Sequence, residues 1–133
     1  MRGAFVLDAS ATLAFLNDEP GRAYVQSALQ LSCVMSSVNL AEVISKLRER
    51  GTDEMEVDRR IGRFLALGCK VAAFGHDLAA LTGHLRPETR SFGLSLGDRA
   101  CLALSLQINR PVLTTEHQWE QLDRHKFSIV LIR

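Results

Sequence analysis

Short apolar runs alternate with stretches of helical spacing along nearly the whole chain, and this alternation limits the fold more than any other feature. The apolar runs fall at 4–7, 33–36, 69–74, 112–114 and 127–132. Between them, Ala11, Leu13, Ala14 and Leu16 mark a helix over 9–17, and Ala23, Val25 and Leu29 mark a second over 22–31. Leu40, Val43, Ile44 and Leu47 form the stripe of a third, from Val38 to about Arg50, capped by Ser36 or Ser37 and ended by Gly51. Thr52 or Asp53 caps a fourth that reaches Leu67, with acids in its first turn as the helix dipole favours. Helices are expected again at 76–85 and 98–109, and a short one at 116–123. Pro87, Gly93 and Gly97 make 86–97 a loop or a broken helix. Such alternation predicts a parallel sheet covered by helices on both faces, joined by right-handed crossovers. In sheets of that kind, ligand sites gather beyond the carboxyl ends of the strands.

A chain of 133 residues with 47% hydrophobic content encloses one core, so a single domain over 1–133 is expected. No stretch approaches the ~20 apolar residues of a membrane span, and the start lacks the pattern of a secretory signal. A cytoplasmic protein without a membrane partner is the expectation. Cys33, Cys69 and Cys101 are odd in number, far apart and set among apolar residues, which suits buried thiols rather than disulfides or a CxxC metal site. His76, His84, His117 and His125 show no paired-ligand spacing, so a histidine zinc site has no support.

The acids carry the chemistry. Asp8 closes the first apolar run and Glu116 follows the run that ends in Thr114 and Thr115, so both fall at strand carboxyl ends. Glu42 lies one turn into the helix after the second run, and Asp98 opens the helix after Gly97. All four are therefore expected near one edge of the sheet. Taken singly, Asp98 and Glu116 read most simply as acids that start helices. Glu42, flanked by Ala41, Val43 and Ile44, is harder to dismiss. Asp8 is hardest, because an acid at the end of a buried central strand costs on the order of several kcal/mol unless it is paired or bound to a metal. Oxygen donors without histidine or cysteine suit Mg²⁺ or Mn²⁺, and hence phosphate chemistry. Ser10 and Thr115 stand next to two of the acids, where a hydroxyl can orient a carboxylate or cap a helix.

The segments Val6-Leu7-Asp8-Ala9-Ser10-Ala11, Asn39-Leu40-Ala41-Glu42-Val43, Gly93 to Leu104 around Asp98, and Val112-Leu113-Thr114-Thr115-Glu116 with Trp119 resemble the PIN-domain family. More narrowly, they are similar to VapC toxins of type II toxin–antitoxin systems. The resemblance implies a three-layer α/β/α sandwich with a central, mostly parallel sheet of about five strands. It also implies Mg²⁺- or Mn²⁺-dependent endoribonuclease activity on tRNA, rRNA or other structured RNA. Homodimerisation, a toxin–antitoxin hetero-oligomer and inhibition by a cognate VapB-like antitoxin over the acidic cleft are implied as well. Matched position by position, Asp8, Glu42, Asp98 and Glu116 take the catalytic and metal-holding places. The last of these is more usually aspartate, so Glu116 is expected to act either directly or through water.

Net charge is only +1, yet if four of the fifteen acids serve one site, eleven remain against sixteen bases. Lys46, Arg48 and Arg50, then Arg59, Arg60 and Arg63, and Arg86, Arg90 and Arg99 are the candidate phosphate contacts. Arg99, beside Asp98, leads them. Leu13, Phe15, Leu16, Tyr24, Phe64 and Leu65 can line a groove for an antitoxin helix or simply pack the core. Trp119 is expected in the core with its N–H satisfied. Two other readings stay open. Asp8 after a strand suits an aspartyl-phosphate site, although neither a second acid at Ser10 nor a lysine within 112–116 supports it. A module that binds an antitoxin with catalysis weak or lost is the other.

Overall fold

Residues that are apolar on both sides of a strand can be sheltered only by helices on both faces of the sheet. The strands here are of that kind: β1 (Phe5–Leu7), β2 (Cys33–Ser36), β3 (Cys69–Ala72), β4 (Val112–Thr114) and β5 (Ile129–Leu131). The computed structural model describes residues 3–133. The five strands form one sheet in the order β3-β2-β1-β4-β5, and every neighbouring pair is parallel.

Helices α1 (Ala9–Leu16), α2 (Arg22–Leu29), α3 (Ser37–Glu49) and α4 (Glu54–Ala66) cover one face. Leu7, Cys33, Met35 and Leu113 pack toward them, against Phe15, Val25, Val43, Leu47, Ile61 and Phe64. Helices α5 (His76–His84), α6 (Arg86–Thr89) and α7 (Leu96–Ile108) lie on the other side. There Val6, Val34 and Val112 meet Leu78, Leu102 and Trp119. This is the expected α/β three-layer sandwich. The three cysteines are free and buried, and no described helix is long and apolar enough to cross a membrane.

The winding of the chain positions the site. From β1 the chain steps outward to β2 and β3 on one side, then returns through α5–α7 to start again at β4 on the other side of β1. The strand order therefore reverses between β1 and β4, and a crevice opens at their carboxyl ends. In the register Leu7 stands beside Leu113, so Asp8 and Thr114 emerge side by side at that crevice.

Local boundaries differ from the sequence reading where short polar residues set them. The helix expected to open at Asp98 opens two residues earlier, because Ser95 is the N-cap and Asp98, the third helical residue, closes a reciprocal capping box with it. The stretch 86–97 resolves into α6 followed by a 3₁₀ turn over Arg90–Phe92, and 116–123 into a 3₁₀ turn over His117–Gln121. Strands β3 and β5 are shorter than the apolar runs that contain them, since ladder pairing ends at Ala72 and begins at Ile129. Trp119 is fully buried as expected, but its Nε1 has no hydrogen-bond partner.

Candidate metal centre

Asp8 follows β1 in extended backbone, donates its N–H to Leu113 and serves as the N-cap of α1. Only 3% of it is exposed. Its Oδ1 accepts from the Ala11 N–H at 2.7 Å and its Oδ2 from the Thr114 hydroxyl at 2.6 Å. Ser10 Oγ lies 2.8 and 2.9 Å from the two oxygens, so its one proton serves both. Even so, burial pushes the carboxyl up to about 7; the hydrogen bonds from Thr114, Ala11 and Ser10 pull it down, and the charge of Asp98 adds to the rise. A carboxylate so well hydrogen-bonded and still reluctant to ionise lacks a positive charge beside it.

Glu42 is presented by α3, whose N-cap Ser36 accepts from the Val38 N–H at 3.2 Å. Asn39, one turn earlier on the same face, donates through Nδ2 to Glu42 Oε1 at 2.7 Å and to the Gly97 carbonyl at 3.0 Å. One buried amide thus ties α3 to the start of α7. Gly97 makes that approach possible, since a Cβ there would collide with the Glu42 carboxylate. Burial raises the Glu42 carboxyl, Asn39 lowers it, Asp98 raises it and Lys46 lowers it. Asp98 Oδ2 accepts from the Ser95 N–H at 2.9 Å, completing the capping box. The acid is therefore a helix-start residue and also a source of negative charge at Asp8 and Glu42.

Asp8, Glu42, Asp98 and Glu116 all line one cleft of about 340 Å³. They do not stand equally. The buried Cys101 thiol is raised well above its ordinary range by burial and then by Asp8, Asp98 and Glu42. Glu116 is half-buried at the N-cap of its 3₁₀ turn and makes no capping bond through its side chain. Asp98 bears on both Asp8 and Glu42, and Glu116 stands half-buried in the same cleft.

The donor set is oxygen throughout. Among the described residues, no group of three or more His, Cys, Asp or Glu side chains stands close enough to hold a metal ion by itself. Zinc in a structural site asks for a closed set of nitrogen and sulfur donors. Magnesium usually keeps several waters and binds through one or two carboxylates. The open, all-carboxylate arrangement and the uncompensated charge at Asp8 fit the second kind of ion.

Two hydroxyls reach the site, one of them not where the sequence reading put it. Of the two uses open to Ser10, the structure shows the contact with the Asp8 carboxylate. The threonine hydroxyl on Asp8 belongs to Thr114, the last residue of β4, which also accepts from the Glu116 N–H at 3.0 Å. Thr115 lines the cleft but enters the network through its backbone, its N–H donating to Ser10 Oγ at 3.0 Å. Alternation along an extended chain gives adjacent threonines opposite directions. Asn39 is the residue that sequence reasoning missed, and its spacing of three from Glu42 is the signal that was available.

Of the basic candidates, Lys46 and Arg50 line the cleft. Arg99 does not: its guanidinium donates to the Thr82 carbonyl at 3.2 Å, which fixes it against α5. Arg59, Arg60 and Arg63 ring a separate groove of about 250 Å³ with Arg22, floored by Phe15, Leu16, Phe64 and Leu67. Leu13 lines the cleft instead, Tyr24 sits with Phe5 and Leu31, and Leu65 packs against the core.

A family model described as PIN domain matches residues 5–125. Among solved structures, the chain is similar to DNA-bound VapBC from Salmonella typhimurium, with a TM-score of 0.78 and 17% identity over 99% of this chain and 100% of that one. It is similar to VapBC2 from Rickettsia felis bound to a promoter DNA fragment, with a TM-score of 0.74 and 17% identity over 96% and 97% of the two chains. It is also similar to the sarcin–ricin loop cleaving toxin VapC20 from Mycobacterium tuberculosis, with a TM-score of 0.69 and 14% identity over 84% and 87%. No curated protein sequence matches the chain.

Proposed function

The chain belongs to the PIN-domain family, and from that premise we propose that it is a metal-dependent endoribonuclease of the VapC toxin kind, acting on structured RNA such as tRNA or rRNA. The observation that carries the reading is Asp8, a desolvated carboxylate at the switch point of the sheet, beside Asp98 and Glu42 and without a cationic partner. A structural acid so placed would be paired. An acid that awaits a divalent ion would not.

Asp8, Glu42 and Asp98 are the residues that would hold Mg²⁺ or Mn²⁺, with Glu116 acting directly or through water. When bound, such an ion activates water at neutral pH and offsets the charge that develops on a phosphodiester. The chain's own contribution is to hold the carboxylates ready. Ser10, Thr114 and the Ala11 N–H fix the plane of Asp8. Asn39 turns Glu42 toward Gly97, and Ser95 anchors Asp98 at the N-terminal end of α7. No side-chain nucleophile is required when water is activated by a metal ion, and Cys101, fully buried with its thiol held protonated, is not available as one.

Purified chain is expected to cleave RNA with Mg²⁺ or Mn²⁺ and to stop with EDTA, while Asp8→Asn and Asp98→Asn fold normally and do not cleave. Undiminished cleavage by either variant would remove the assignment. For partners, we read the acidic cleft as the seat of a VapB-like antitoxin, whose basic side chains would meet the carboxylates that line it. A homodimer, and a hetero-oligomer with the antitoxin, complete the proposal. Light scattering of the chain alone and of the chain co-expressed with its antitoxin tests both.

A further inference from the structure

Beside the acids, the cleft has a basic wall that metal binding does not account for. Lys46, Arg50 and Arg133 line it together with Glu19. Glu42, Lys46 and Arg50 follow one another at intervals of four along α3 and its C-cap. They therefore share one helix face, each about 6 Å further along the axis than the last. The charge of Lys46 is felt at Glu42.

Arg133, which follows β5, reaches the same wall from the far end of the sequence. Glu19 stands between the two arginines, 4.0 Å from Arg50 and 3.4 Å from Arg133. Arg133 also donates to the Pro20 carbonyl at 3.1 Å, and the His117 ring lies 2.7 Å from the Arg133 carbonyl oxygen. Two guanidinium groups from distant segments are thus set on a common carboxylate at the mouth of the cleft. Their side chains remain 59% and 38% exposed, and ion pairs that open to water add little to stability. The arrangement has no evident purpose in folding. It has one in binding, because an acidic floor repels a polyanion unless cations stand close by.

We propose that Lys46, Arg50 and Arg133 grip the phosphate backbone of an RNA strand on one side of the bond presented to the acids, with Glu19 as the strut that sets the two guanidinium groups. This rests on the ribonuclease reading above and adds to it a direction: the strand runs from the acidic floor toward the C-terminal end of α3. Contacts of this kind hold the backbone without reading sequence. Arg48, two residues from Lys46 and outside the lining of the cleft, takes no part.

The test is binding of a fluorescein-labelled single-stranded RNA 12-mer in EDTA, followed by anisotropy as salt is raised. The double variant Arg50→Gln/Arg133→Gln is expected to bind about tenfold more weakly, and to lose about 1.4 from the slope of log K against log salt, about 0.7 per phosphate contact. Lys46→Gln is expected to lose about half as much slope. Arg48→Gln removes the same charge from the same helix and is expected to bind like the wild type. With Mn²⁺ present, the double variant is expected to raise KM about tenfold and leave kcat within about twofold, the pattern of lost uniform binding. Equal slopes for wild type and double variant, or an Arg48→Gln effect as large as theirs, would overturn the wall. If the wild type binds RNA through these residues but does not cleave it, the ribonuclease reading fails and the wall stands.

Discussion

The acidic cleft and the arginine-ringed groove are both lined by residues of α1, yet they treat charge in opposite ways. In the groove three of the four arginines are already engaged. Arg22 lies over the Phe15 ring at 4.1 Å, donates to the Phe15 carbonyl and pairs with Asp18. Arg59 pairs with Glu56, and Arg60 donates to the Leu16 carbonyl. In the cleft, by contrast, Asp8, Glu42, Asp98 and Glu116 form no ion pair among the described residues. Asp98 instead presses on both Asp8 and Glu42. Charges that fold a protein are satisfied by it, whereas charges kept for a ligand are left partly unanswered. The groove holds the architecture of α1, α2 and α4 together, and the cleft leaves an electrostatic debt that only a ligand settles.

This contrast can be broken most severely at the floor. Asp98→Asn or Asp8→Asn is expected to lower the cleavage rate by about a thousandfold or more, the scale on which loss of a metal-holding group acts, with the circular dichroism spectrum unchanged. The same loss in a groove variant such as Arg59→Ala, where turnover is expected to stay within about twofold of wild type, would erase the distinction.

Phe64 probes the other side of the comparison. It is 2% exposed and its ring centroid lies 5.5 Å from that of Phe15. Phe64→Ala is expected to cost about 3 kcal/mol in a urea titration, with the specific activity of the folded fraction preserved. Groove residues should thus move stability, and cleft residues activity.

Gly97→Ala sharpens the contrast within a single site. Alanine is a better helix residue than glycine by about 1 kcal/mol, so the melting temperature is expected to hold or rise. The added methyl displaces the Glu42 carboxylate, and activity is expected to fall about 10- to 100-fold, the range typical of groups that orient a ligand. A variant with both stability and activity intact would show that Glu42 need not lie against α7.

The smallest effect is the pH dependence of stability without metal. The Asp8 carboxyl stands at about 7 in the folded chain against an ordinary value of 3.8. The folded state therefore holds that proton more tightly, and its stabilising effect is fully present below about pH 4 and lost as pH rises through 7. In EDTA at pH 8, Asp8→Asn is expected to melt a few degrees above wild type, and the difference should vanish near pH 4. Equal melting curves at pH 8 would mean that Asp8 carries no unmet charge.

How much of this was legible beforehand depends on how far apart the interacting residues lie. The alternation of strands and helices, Asp8 at the end of β1 and the convergence of the four acids on one edge follow from local pattern and from the winding rule of parallel sheets. Contacts between distant segments do not. Asn39 reaches Gly97 across 58 positions, and nothing in the spacing around either residue announces it. The choice of Thr114 over Thr115 turned on the phase of a strand only three residues long. Arg99 looked like a substrate contact because of its neighbour in sequence, but a helix turns adjacent residues by about 100°, and its guanidinium is fixed on the Thr82 carbonyl of α5. Ser95 and Asp98 were readable as a capping box; taking the acid as the first helical residue hid the serine that caps it.

The proposed function requires Asp8, Glu42 and Asp98 to hold a divalent ion together. Calorimetric titration of the metal-free chain with Mn²⁺ at pH 7.5 addresses it without reference to any substrate. Saturable binding by wild type, lost in Asp8→Asn and only weakened in Glu116→Gln, is the predicted result. Binding to Asp8→Asn with the affinity of wild type, or no binding to wild type at all, would contradict it.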